Sequence, residues 1–151
     1  MQILIKDPVT AALDQVGAKI RDRTPIAEAV GLTVSSLAAR SFNDPSVRAS
    51  PWAPLKPATL REKIAAGQST AILKRSTLLF RSWRVIEATA DRVRVGSDRF
   101  YAIFHQFGTK RGLPARPMLP ITGGVDNARL TDLAVRRVVD AARAALAALL
   151  G

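Results

Sequence analysis

An α+β fold is what this sequence predicts, and three stretches predict it. Residues 84–96 alternate as a β-hairpin around Ala90 and Asp91, residues 9–42 carry helical periodicity, and the chain from Asp126 reads as helix to its end. The hairpin, a strand at residues 2–6 and a further candidate strand at 118–122 make a small antiparallel sheet, covered on one face by the N- and C-terminal helices. With 151 residues, 48% of them hydrophobic, the chain should form one domain, residues 1–151, around one core.

Ile3, Leu4 and Ile5 before Asp7-Pro8 fit a short buried strand closed by a turn signal. Val9, Leu13, Val16 and Ile20 then recur at three- and four-residue spacing, with Asp14, Lys19, Arg21 and Asp22 off that stripe, which predicts an amphipathic helix. Thr24 offers an N-cap for the next helix and Pro25 its first helical position. Residues 24–42 support two readings. One is a single helix, bent or interrupted by Gly31, that places Val30, Val34, Leu37 and Phe42 in the core. The other is a helix-turn-helix pivoting at Gly31, with Ser35, Ser36 and Arg40 facing a DNA major groove; it makes a DNA-binding regulator the alternative function. The single helix is preferred, because alanine and glycine at that spacing recur by chance in alanine-rich chains.

Four prolines within residues 43–57 mark a loop, anchored by Trp52. A short helix over 59–66 should end at Gly67-Gln68-Ser69, and a second over 76–82 should carry Leu79 and lead into Trp83. In the second hairpin arm Val93 and Val95 point one way and Arg92 and Arg94 the other, giving a core face and a basic face. Tyr101, Phe104 and Phe107 share one face of a short helix that Gly108 ends in a left-handed conformation. Lys110, Arg111 and Gly112 form a polar, flexible tip, after which Pro114 and Pro117 hold Ala115 and Arg116 extended. In the final helix Leu130, Leu133, Ala134, Val138, Ala141, Ala142 and Ala145 oppose Arg129, Asp132, Arg136, Arg137, Asp140 and Arg143. Residues 144–150 are apolar all round, so Leu146, Leu149 and Leu150 are candidates for contact with another subunit.

A net charge of +11 predicts attraction to something acidic: nucleic acid, an acidic protein surface or a membrane leaflet. The cations are spread from Lys6 to Arg143, and a merely solvated basic surface is the plain alternative. Only Trp83 and Tyr101 interleave with them, which is little for stacking bases. The apolar run at 144–150 is far short of the roughly 20 residues that span a bilayer, and 2–5 is too short for the apolar part of a signal peptide. A protein made in the cytosol, with no membrane partner, is expected. Lacking cysteine, the chain has no disulfide framework and no thiolate chemistry.

His105 is the only histidine and has no second ligand at metal-binding spacing, and the nucleophile elbow, the Walker loop and the dinucleotide fingerprint are absent. Neither enzymatic activity nor a cofactor is expected. His105 and Gln106 read as a hydrogen-bonding pair that fixes the loop up to Arg116. The Arg116 guanidinium either binds backbone carbonyls or reaches another subunit.

The string Tyr101-Ala102-Ile103-Phe104-His105-Gln106-Phe107-Gly108, followed by Pro114-Ala115-Arg116-Pro117-Met118-Leu119, resembles the signature of the phage virion morphogenesis family, the tail completion proteins of Mu-like and related contractile-tailed phages. That signature reads Tyr-Ala-x-x-His-Gln-Phe-Gly, a variable loop, then Pro-Ala-Arg-Pro-Phe-Leu. Upstream, Trp52-Ala53-Pro54-Leu55 with Thr59 and Lys63, and Ile72-Leu73 with Thr77, Phe80 and Ser82, are similar to two further elements of it. Leu78 stands where the family has glycine and Phe80 where it has leucine. The resemblance covers residues 52–121 well. It implies a non-enzymatic structural protein that completes the tail and permits head joining, acting as a ring of copies at the tail's head-proximal end. It places the protein in the virion, and in the host cytoplasm during assembly. Its partners would be its own copies and other tail and neck proteins, with DNA a candidate for the basic surface. Lys110, Arg111, Arg92 and Arg94 are candidate partner contacts.

Overall fold

The computed structural model describes Gln15 and residues 17–151. The elements are α1 (Thr24–Arg40), α2 (Pro57–Ala65), β1 (Trp83–Ala88), β2 (Val93–Ser97), α3 (Ala102–Phe107), β3 (Ile121–Thr122), β4 (Arg129–Leu130) and α4 (Asp132–Leu150), with 3-10 turns at Pro45–Val47 and Phe80–Ser82. The class is α+β, as expected. The strand expected at residues 2–6, and Val9, Leu13 and Val16 of the first helix, lie outside the described residues; of that helix, residues 17–21 are helical.

α1 is the middle of the architecture. It packs against both hairpin strands and also against α4. Gly31 does not interrupt it: a Cβ there would stand 2.7 Å from Val93 Cγ2 and 2.8 Å from Val85 Cγ2, so the missing side chain is what lets the helix lie on the hairpin. With α1 continuous through Gly31 and Ser35 buried, the helix-turn-helix reading has no turn and loses one of its groove-facing serines. Alanine at 31 would gain about 1 kcal/mol of helix propensity. It would also force two valines with stiff side chains to move, at about 1–3 kcal/mol of overpacking. A net loss of about 1 kcal/mol by urea denaturation is expected for Gly31→Ala, and a larger one for Gly31→Val.

The helix begins one residue earlier than Thr24 would allow as a cap. Arg23 is the N-cap, and the Thr24 amide donates instead to the Asp22 carboxylate at 3.1 Å. Inward from α1, Leu37 is buried with Val47 and Ala134, while Val30 and Val34 are only half-buried. Phe42, just beyond the helix, belongs to a second cluster with Trp52, Leu79, Ala102 and Met118. Its ring meets Trp52 edge-on at 5.6 Å and Phe80 at 5.4 Å.

β1 and β2 pair antiparallel from Trp83–Ser97 to Ala88–Val93, with a bulge that leaves Ile86 unpaired and exposed. The expected turn at Ala90-Asp91 is closed by the Thr89 amide donating to Arg92 O at 2.8 Å. The 118–122 stretch does not join this sheet. Its last two residues pair with β4 in a separate ribbon, because prolines at 114, 117 and 120 leave few amides free to extend a ladder. β4 also occupies part of the span expected to be helical from Asp126. α4 therefore starts at Asp132, capped by Thr131, whose hydroxyl accepts from the Ala134 amide at 3.3 Å.

From there the expected stripe holds. Ala134 is buried, Leu133, Val138, Ala141, Ala142 and Ala145 are half-buried, and the opposing charged residues are exposed. α4 packs on α1, which itself packs on both strands of the hairpin. α2 is the short helix expected near 59–66, begun by Pro57 and followed by Gly67 at φ +63. The α-helix expected over 76–82 is replaced by a 3-10 turn, since Thr77 sits at φ +55 and Leu73 at φ +60. A β-branched residue in that region costs about 1–3 kcal/mol. The left-handed position is Thr77, one residue before Leu78.

Candidate functional site

The second cluster is closed by hydrogen bonds from the motif residues, and each has a local cause. α3 is a turn and a half of helix whose buried residues are Ala102 and Gln106, four apart. The expected face of Tyr101, Phe104 and Phe107 is not the buried one. Tyr101 and Phe107 are half-buried, while Phe104 points outward with Phe100 and Ile103. Gly108 ends the helix at φ +74, and a Cβ there would meet Leu113 O at 2.8 Å and Ala115 N at 2.9 Å. The chain can therefore return at once. Thr109 N donates to Leu113 O at 2.9 Å, Gly112 N to Thr109 O at 3.1 Å, and Leu113 N to Thr109 Oγ1 at 3.2 Å, so the tip is a closed turn carrying Lys110 and Arg111 outward.

The returning extended segment is held from three sides. His105 O accepts from Arg116 N at 2.6 Å. Gln106 Oε1 accepts from Met118 N and Leu119 N, each at 2.9 Å. Trp52 Nε1 donates to Pro117 O at 2.8 Å. Arg116 then reaches back to the Trp52 loop: its Nε donates to Ala53 O at 2.9 Å and an Nη to Pro54 O at 3.1 Å. Of the two roles open to Arg116, binding backbone carbonyls is thus the one its guanidinium performs within the chain. Lys63 is also buried, its Nζ donating to Ala71 O at 2.8 Å. The expected pairing of His105 with Gln106 is indirect. His105 contributes its carbonyl and an edge-on contact with Tyr101 at 6.2 Å, and its buried Nδ1 has no hydrogen-bond partner among the described residues.

Burial, and then the positive charge of Arg116, hold the His105 imidazole below its ordinary value of 6.5. The folded chain therefore favours the neutral ring, and between the two values the unfolded chain binds the extra proton. Stability is full above about pH 6.5 and is lost as pH falls through the folded-state value. Urea midpoints taken from pH 7 down to about 5.5 should decline for the native chain and decline less for His105→Asn.

Between the Trp52 loop with α2 on one side and the 111–116 loop on the other lies a cleft of about 840 Å³. Of the motif residues it brings together Leu55, Thr59, Lys63, Tyr101, His105, Pro114 and Arg116; Trp52, Ala102, Gln106, Phe107, Gly108, Ala115 and Pro117 support it from outside. Arg111 also lines it, whereas Lys110 does not. Lys56 and Arg75 complete its cationic lining and were not singled out by motif. Lys56 could have been found, since Lys56, Thr59 and Lys63 stand at helical spacing on one face. Arg75 carries no such signal.

The other candidate contacts lie apart from the cleft. Arg92 and Arg94 are exposed on the hairpin, 4.0 Å and 3.5 Å from Glu87, so that face is not purely basic. Leu146 and Leu149 are half-buried and Leu150 exposed at the end of α4. Among the described residues no group of His, Cys, Asp or Glu is placed to hold a metal ion, and no helix is long and apolar enough to cross a membrane.

The architecture and the wiring define a small α+β domain in which Trp52, Gln106 and Arg116 lock a helix-turn-extended unit onto a loop. The phage virion morphogenesis family matches residues 5–146, nearly the whole chain, and the chain belongs to that family. No curated protein and no solved structure gives a match. The family is one of virion structure and assembly, and the role it brings is virion-associated.

Proposed function

We propose that the protein completes the phage tail and permits head–tail joining, without catalysis, as a ring of copies at the head-proximal end of the tail. The observation that carries this reading is that the residues matching the family's signature build one rigid unit, the Trp52 loop tied to the 105–119 return. Such a unit suits a component that must present a fixed surface to neighbours. Phe100, just before α3, and Ile103 and Phe104 on its outer face lie exposed, and with the end of α4 they offer apolar surface for contacts between copies. Neighbouring tail and neck proteins are the other partners, with the virion as final location and the host cytoplasm as the place of assembly. DNA is left as a candidate for the exposed cations.

Deleting the gene from the phage that encodes it and viewing the lysate by electron microscopy tests the role. Filled heads and separate tails are expected, with joining restored by the supplied protein. Intact infectious virions in the deletion would overturn the reading.

A further inference from the structure

The cleft has a charge arrangement that the structural role of its residues does not explain. Lys63 and Arg116 are each only 7% exposed, and the hydrogen bonds they make go to neutral carbonyl oxygens. Among the described residues no carboxylate lies within ion-pair distance of either, nor of Lys56 or Arg111 at the rim. Arg75 alone has a neighbour, Glu62 at 3.9 Å. On the hairpin, by contrast, Arg84, Arg92 and Arg94 each stand within 4.0 Å of an acid. Holding cations out of water with no counter-charge is costly, and both buried groups keep spare N–H donors, since a lysine has three and an arginine five.

We propose that the cleft is the docking site for an acidic, extended segment of a partner protein, whose carboxylates meet Lys56, Lys63, Arg111 and Arg116. The walls between these cations are apolar, formed by Leu55, Leu79 and Leu113, which suits a segment that alternates acidic with aliphatic side chains. A nucleic-acid backbone is a poorer fit. It has no use for those walls, and the two aromatic rings of the lining, Tyr101 and His105, are already engaged edge-on with each other. A second copy of this chain offers no fitting segment, because its 12 acidic residues are scattered along the sequence with no acidic run among them; copies in the ring would meet through other surfaces. A volume of about 840 Å³ falls within the range of built ligand sites and takes several side chains.

The test is fluorescence anisotropy at near-physiological salt, with a labelled peptide Glu-Leu-Glu-Glu-Leu-Glu, its glutamine counterpart, and a short single-stranded oligonucleotide. The glutamate peptide should bind and the other two should not compete with it. Lys56→Glu with Arg111→Glu, both at exposed positions, should weaken binding by about tenfold or more, and Arg136→Glu with Arg137→Glu on α4 by no more than about twofold. Circular dichroism checks that each variant keeps the fold. Equal weakening by the two double variants, preference for the oligonucleotide, or equal binding of the glutamine peptide would each overturn the proposal. The inference rests on the assembly reading for the partner being a virion protein, but the titration does not. Failed peptide binding alongside unjoined heads in the deletion removes the cleft alone, and binding alongside normal virions removes the assembly role alone.

Discussion

Trp52→Ala should lower the stability of the domain by about 3–5 kcal/mol, the range for removing a large aromatic from a core. Trp52 is buried, its ring lies edge-on to Phe42, and the Arg48 guanidinium sits 3.9 Å above it. Each of those contacts disappears, and Pro117 O loses the indole N–H it accepts from at 2.8 Å. A cavity remains between Phe42 and Met118, because both belong to elements fixed by other bonds. For a domain whose total stability is about 5–15 kcal/mol, this is enough to bring the unfolded chain into view at physiological temperature. Trp52→Phe separates the effects: it keeps a ring in the cluster and deletes the donor, and should cost about 1–3 kcal/mol. Urea denaturation followed by circular dichroism measures both. A Trp52→Ala loss below that of Trp52→Phe would mean that the side chain is not the keystone of this cluster.

The second large effect is expected at Gln106, where the side chain serves as an acceptor and not as a filler. Its Oε1 takes the amides of Met118 and Leu119, and Met118 is fully buried. Gln106→Leu keeps roughly the same volume but strands two amide donors, at about 1–3 kcal/mol each, so a loss of about 2–5 kcal/mol is expected. Gln106→Glu keeps an accepting oxygen on the same stem and should lose markedly less, since a carboxylate that accepts two backbone amides is stabilised in its charged form. Denaturation midpoints for the two variants should therefore differ in that order. If leucine were tolerated better than glutamate, the bonds to residues 118 and 119 would not be what holds the return strand.

What could be read from the sequence divides according to how far the deciding neighbour lies along the chain. The α4 stripe and the hairpin were legible because period and turn chemistry are local, and Gly108 because a helix followed by a sharp return needs a residue of that kind. Gly31 was not. A glycine inside a helix reads as a bend, and the reason it is a contact surface is Val85 and Val93, more than fifty positions away. Phe104 followed the apolar spacing of α3, yet the position that matters there is polar: Gln106 is buried because two distant amides need its oxygen. Thr77 escaped for the opposite reason, since its positive φ is imposed by the surrounding loop against its own preference. Arg116 could be seen as a fork between prolines, but its acceptors, Ala53 O and Pro54 O, could not. The cleft needs all of these placements at once: of its cations Lys63, Arg111 and Arg116 stand in legible motifs and Lys56 at helical spacing with Thr59 and Lys63, while Arg75 carries no local signal.

The tie between the Trp52 loop and the 116–117 segment joins partners 62 to 65 positions apart in sequence. Bringing ends that distant together costs roughly 4 kcal/mol of chain entropy before any contact repays it, so this closure belongs late in folding. During synthesis Phe42 and Trp52 emerge well before Pro117, Met118 and Gln106 can cover them. For that interval the growing chain carries an uncovered aromatic cluster on a strongly cationic polypeptide, the kind of surface that holdase chaperones bind and that aggregates when synthesis outpaces them. The length of that interval is set by how quickly the ribosome delivers residues 105–119.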